Sequence, residues 1–123
     1  MHRRFVIHGS RLTAWEGASI LIRMDAPALL LPPRQTEPFV NRDGLHLAVE
    51  AQGGAGGPIL LFAHGFGQTR GAWNGAAAAL AAQGHRCISF DARGHGESGR
   101  APDGGYHMQQ FVDDLLALAR AQP

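Results

Sequence analysis

Lysine is absent from the 123 residues; all eleven basic side chains are arginines spread along the chain, and the formal net charge is only +1. With no basic run, neither nucleic acid nor an anionic membrane surface is indicated as a partner. Plentiful Arg, Ala, Gly and Pro without lysine reads as a GC-rich coding bias, so arginine number carries little functional meaning. Cysteine occurs once, as Cys87 within CISF. It cannot close an intrachain disulfide, nothing marks an oxidising compartment, and the cytoplasm is the default location. Long apolar runs are missing too. A cleavable signal needs an uncharged core of roughly 7 to 15 residues and a membrane span about 20. The segment after Arg3-Arg4 is interrupted by Arg11, Glu16, Arg23 and Asp25, and the best run, APALLLPP, ends in two prolines. His46, His64, His85, His95 and His107 show no H-E-x-x-H or other metal spacing, so no metal is expected.

What is present becomes regular only in the second part of the chain. Residues 1–37 show no sustained period and contain the Pro32-Pro33 break, so they read as a poorly ordered extension, with Met24 a candidate start. From Pro38 onward PFV, the turn Asn41-Arg42-Asp43-Gly44 and LHLAVE form a hairpin pattern, with Leu45, Leu47 and Val49 alternating against His46, Ala48 and Glu50. After GGAGG, the run PILLFA has the composition of a strand buried on both faces. Trp73, Ala76, Ala77 and Leu80 fall at helical spacing, and Gly84 suits the end of that helix. His85 to Phe90 is a second buried strand; Met108, Phe111, Leu115 and Leu118 mark a helix over roughly 106–121. Strands alternating with helices predict an α/β sheet with crossover connections, whose ligand site lies at the carboxyl ends of the strands.

Two loops leave those ends. The second, DARGHGESG, contains G-x-G-x-x-G at Gly94, Gly96 and Gly99, which invites a small nucleotide-binding module. Such a site requires a helix opening at the third glycine. Here RAPDGGY follows, and Pro102, Gly104 and Gly105 keep it from being helical. The loop also approaches the nucleophile motif G-x-S-x-G around Ser98, but Arg100 occupies the last glycine position. Asp91, His95 and Ser98 lie too close along a Gly-rich loop to give reason for a triad. Cys87 reads as a small buried hydrophobe, and Asp113 and Asp114 are assigned no chemistry. The first loop, HGFGQTR, runs from a strand into a helix, which places backbone N–H groups near a helix N-terminus over the crevice. It is either an ordinary connection or a means of stabilising an oxyanion.

Taken in order, strand-HGFGQTRGAW, one helix, strand-DARGHGES and the helix YHMQQFVDDLLALAR resemble the α/β-hydrolase fold family in its esterase and lipase branch, from about Phe39 onward. The resemblance implies an α/β fold: an antiparallel hairpin, then parallel strands with crossover helices, truncated before the nucleophile elbow. It implies that Phe66 supplies an oxyanion-hole backbone N–H on a loop shaped by His64, Gly65 and Gly67. It also implies that Asp91, Arg93, Gly94 and Gly96 hold the second loop in place, and that Ser98 is not the nucleophile. In the family the G-x-S-x-G strand, the acid and the histidine come later. None lies in these residues, so the chain is expected to be an inactive N-terminal piece of an ester hydrolase acting on a small-molecule substrate without a cofactor. Gly67, where epoxide hydrolases often have proline, tilts toward esters, although relatives with epoxide, haloperoxidase-like or carbon–carbon cleaving activity share both motifs.

Overall fold

A computed structural model describes residues 32–123 and, before them, only the backbone of three short strands. The chain divides into two compact units, Met1–Leu31 and Pro32–Pro123. In the first, β1 (Phe5–His8), β2 (Arg11–Ala14) and β3 (Leu21–Arg23) pair antiparallel in sequence order. The remainder of the expected poorly ordered extension, Met24 among it, lies outside the described residues up to Leu31.

The second unit carries the hairpin, and it begins earlier than the expected boundary at Pro38. Strand β4 runs over Arg34–Val40 and pairs antiparallel with β5 (His46–Gln52). Arg34-Gln35-Thr36 is exposed on the edge of the sheet, so it lacks the apolar alternation that marks a strand in sequence. Pro38 is tolerated on an edge strand, where one side of the backbone has no ladder to complete. Asn41 sets the turn: its backbone N–H donates to the Leu45 carbonyl at 2.9 Å, and its Oδ1 accepts from the N–H groups of Asp43 and Leu45 at 2.9 and 2.8 Å.

The sheet order is β4-β5-β7-β6, with β6 over Ile59–Ala63 and β7 over Arg86–Phe90. β7 is antiparallel to β5 and parallel to β6. Between β6 and β7 the chain crosses over through a 3-10 turn, Arg70–Trp73, and helix α1, Asn74–Ala82. Gly84 ends α1 at φ +96°: its N–H reaches the Ala81 carbonyl and that of His85 the Leu80 carbonyl, each at 3.1 Å, closing a Schellman motif. Helix α2, Met108–Arg120, opens at His107, whose N–H donates to Gln110 Oε1 at 2.8 Å.

Helices cover both faces of the sheet. Leu118 joins Leu47, Val49, Ala51, Ile88 and Phe90 on one side, while Ala77 and Ala81 pack with Cys87 on the other. Cys87 is a buried free thiol whose pKa burial raises above the ordinary value. Three local expectations need correction. PILLFA packs on both faces but is only half-buried: Leu61 meets one cluster and Leu60 and Phe62 the other, while β6 is the sheet's edge and Ile59 is exposed. Ala76 faces solvent, and the covered stripe of α1 is formed by Ala77, Leu80 and Ala81 with Trp73 before them. An alanine-rich helix gives periodicity too little contrast to rank one alanine above the next. Met108 is likewise exposed, at the mouth of a pocket rather than in the core.

Candidate active site at the carboxyl ends of the strands

The loop after β6 is a tight turn. Gln68 N–H donates to the Gly65 carbonyl at 3.1 Å, and Gly67 in third position has φ +76°, as a type II turn requires. Gly65 N–H is taken by Gln68 Oε1 at 3.0 Å. Phe66 is at the second position, 99 % exposed, and its backbone N–H has no partner among the described residues. That is the arrangement an anion-binding donor needs before its ligand arrives. The expectation of donors at a helix N-terminus is corrected, because the first helical N–H, that of Arg70, is spent on Asp91 Oδ1 at 2.6 Å. The open donor lies four residues earlier, on the turn.

His64 ties this loop to the next. Its Nδ1 meets the Gly65 carbonyl at 2.8 Å, and its Nε2 accepts the Ala92 N–H at 2.9 Å. A carbonyl facing Nδ1 and an N–H facing Nε2 place the ring proton on Nδ1.

The loop after β7 is built differently: the side chains of Asp91, Arg93 and Ser98 are spent within the protein. The carboxylate of Asp91, fully buried, pairs with the Arg70 guanidinium and accepts the Glu97 N–H at 2.9 Å. Arg70 also donates to Glu50 at 2.9 Å and Glu97 at 3.3 Å. Burial alone would lower the pKa of Arg70, but the Glu50 hydrogen bond and the charges of Asp91 and Glu50 leave it raised. Arg93, 2 % exposed, makes a two-pronged bond to Asp114 at 2.7 and 2.8 Å and reaches the Gly105 carbonyl at 2.8 Å and Asp43 at 3.2 Å. The bond to Asp114 raises the pKa of Arg93 against its desolvation, so it stays charged. Asn41 completes the network by donating to Asp114 Oδ1 at 2.7 Å.

The glycines of this loop make room for neighbours. A Cβ at Gly96, where φ is +49°, would sit 2.2 Å from Asp91 Oδ2, and one at Gly94 would sit 2.6 Å from the Tyr106 ring. Ser98 is buried, donates to the Asp91 carbonyl at 2.5 Å and accepts the Ala48 N–H at 2.9 Å. Its hydroxyl pins β5 to the loop, and among the described residues no imidazole nitrogen is bonded to it. The nucleotide-binding alternative loses three of its backbone donors in the same way. Gly94 N–H goes to the Gly99 carbonyl at 2.9 Å, Gly99 N–H to His46 at 2.7 Å, and Ser98 N–H to His95 at 3.0 Å.

A pocket of about 310 Å³ lies beside the first loop. Its walls come from His64, Gly65 and Phe66, from Phe90 at the end of β7 and Ala92 after it, and from Phe111 and Leu115 of α2. They are mainly apolar, as suits a site that buries the uncharged part of a small molecule and leaves polar work to a few groups. Asp114 is the residue that sequence reasoning missed. A signal existed, since it lies three residues after Phe111 and four before Leu118, on the stripe α2 turns inward. A carboxylate there calls for a buried partner. Among the described residues no cluster of three or more His, Cys, Asp or Glu is placed to hold a metal, and no helix is long and apolar enough to cross a membrane.

Comparison with known proteins gives this geometry a context. The profile of the alpha/beta hydrolase fold family matches residues 58–122. The chain is 34 % identical over 85 residues to epoxide hydrolase A of Mycobacterium tuberculosis, covering 68 % of this chain and 26 % of that protein. It is 38 % identical over 83 residues to 3-oxoadipate enol-lactonase 1 of Acinetobacter baylyi, covering 68 % of this chain and 30 % of that one. The crystal structure of epoxide hydrolase VrEH1 from Vigna radiata superposes with a TM-score of 0.65 at 27 % identity, over 71 % of this chain and 28 % of that one. The chain thus spans between a quarter and a third of the length of these relatives.

Proposed function

The chain belongs to the α/β-hydrolase fold family, and from that premise we propose that it forms the oxyanion-binding part of a hydrolase that cleaves carboxylic esters by a serine nucleophile. The unpartnered N–H of Phe66, on a turn beside an apolar pocket, carries this reading. In acyl transfer the carbonyl oxygen gains negative charge as the serine attacks, and a fixed N–H already free of other partners stabilises that charge without reorganising. Gly65 and Gly67 give the turn its shape, and His64 anchors it to Ala92. No G-x-S-x-G occurs in the 123 residues. The serine, its base and the orienting acid are therefore assigned to a segment outside them, and the chain alone turns over no ester. The proposed chemistry uses no cofactor, the proposed partner is a small ester, and the proposed location is the cytoplasm, with no nucleic acid or membrane bound.

Gly67 favours esters over epoxides within this family. Its φ of +76° is one that proline, fixed near −65°, cannot adopt, so the turn differs from that of relatives with proline at this position. A second reading, epoxide opening, is favoured by the names of the Mycobacterium tuberculosis and Vigna radiata relatives. The Acinetobacter baylyi relative is named for a lactone, which is a cyclic ester. Offering p-nitrophenyl acetate and styrene oxide separately to the full-length protein decides between them. Ester turnover without diol formation is the expected result, and diol formation without ester turnover would sink the ester proposal in favour of epoxide opening.

A further inference from the structure

His95 has been given no role so far, yet it faces the oxyanion loop. Its Nδ1 meets the Arg93 carbonyl at 3.0 Å, and its Nε2 accepts the Gly67 N–H at 3.4 Å. Its ring lies 5.1 Å from that of His64, 5.8 Å from the edge-on ring of Phe66 and 6.5 Å from Phe111. The bond to Gly67 mirrors that of His64. One histidine leaves the loop after β6 and accepts an N–H of the loop after β7; the other leaves the loop after β7 and accepts an N–H of the loop after β6. Each ring uses Nδ1 to bond a carbonyl of its own loop, which fixes the tautomer and aims Nε2 across the gap.

We propose that His64 and His95 form a reciprocal clasp in which His95 is a positioning residue for the oxyanion turn, holding Gly67 and therefore the orientation of the adjacent Phe66 N–H. Gly67 follows Phe66 directly, so its N–H belongs to the same peptide plane as the Phe66 carbonyl. Fixing that plane sets one end of the residue whose N–H is the donor. Phe66 itself is 99 % exposed and has little packing to hold it. The second loop, anchored through Asp91 and Arg93, provides the rigid side from which His95 acts. The clasp gives the buried network of that loop a use at the site: it is the foundation on which an exposed turn is held. The importance of the clasp for catalysis rests on the reading of Phe66 as the oxyanion donor, but its existence does not.

The test therefore uses readouts that need no turnover. In the ¹⁵N-labelled 123-residue chain, long-range proton–nitrogen correlation spectra of the imidazoles should show both rings protonated on Nδ1 with Nε2 bare. Amide hydrogen exchange at Gly67 should quicken by roughly 2- to 10-fold in His95→Phe, the range expected for losing one ordinary hydrogen bond. It should return to within about twofold of the original in His95→Gln, whose side-chain oxygen can accept the same N–H. Exchange at Ala92, held by His64, should not change in either. A proton on Nε2 of either ring, or Gly67 exchange unchanged by His95→Phe, overturns the proposal. The tautomer measurement needs no substitution, so a variant that folds poorly does not shield the idea. Failure of the clasp would leave the Phe66 reading standing, and failure of ester hydrolysis would leave the clasp.

Discussion

The two loops at the carboxyl ends of β6 and β7 are similar in glycine content and opposite in construction. In HGFG the backbone is exposed, the Phe66 N–H is open, and a Cβ at Gly67 would meet nothing within 4 Å. In DARGHGES the carboxylate of Asp91, the guanidinium of Arg93 and the hydroxyl of Ser98 are buried and bonded, and the glycines sit against neighbours. One loop is kept available while the other is locked. A donor for a transient oxyanion must be open yet stationary, and a turn that cannot pack its own side chains is held from next door.

The largest way to break that contrast is to unlock the rigid side. Asp114→Ala removes both oxygens bonded to Arg93 and strands a buried cation, at a cost of about 3–5 kcal/mol. Urea denaturation of the chain is expected to show this loss, or an absence of cooperative unfolding. Next comes one substitution made in both loops. At Gly96 a methyl group meets the Asp91 carboxylate in a left-handed conformation, whereas at Gly67 it meets nothing. Gly67→Ala is expected to cost about 1–2 kcal/mol from backbone conformation alone, and Gly96→Ala clearly more. Equal losses for the two in denaturant would show that close packing does not distinguish the loops. Comparable in size to Gly67→Ala is Ser98→Ala, which leaves the Ala48 N–H buried without its acceptor at about 1–3 kcal/mol. It should leave kcat for esters in the full-length protein unaltered, and a collapse of kcat at unchanged stability would make Ser98 a reacting group after all.

Much of this was legible in the sequence because local patterns carried it. The hairpin turn, the two loop motifs and each element of the crossover unit announce themselves through neighbouring residues. The environment of each element did not. ILLFA is wholly apolar and RCISF carries Arg86 and Ser89, yet the first is the edge strand and the second lies between two partners, because strand order depends on pairing between distant residues. Arg93 and Asp114 lie 21 positions apart, and nothing near either names the other. The Phe66 N–H was named through the family resemblance, but that the Arg70 N–H is drawn to Asp91 and the Gly65 N–H to Gln68, leaving Phe66 the open donor among them, is encoded by no motif.

The most direct measurement replaces Phe66 with proline. Proline is favoured at the second position of a type II turn and removes the N–H while the turn is retained. In the full-length protein, kcat for p-nitrophenyl acetate is expected to fall by about 10²–10³-fold, the usual cost of one oxyanion donor, with KM and melting temperature nearly unchanged. A Phe66→Pro protein that hydrolyses the ester at the original rate would contradict the assignment of this turn as the oxyanion-binding element.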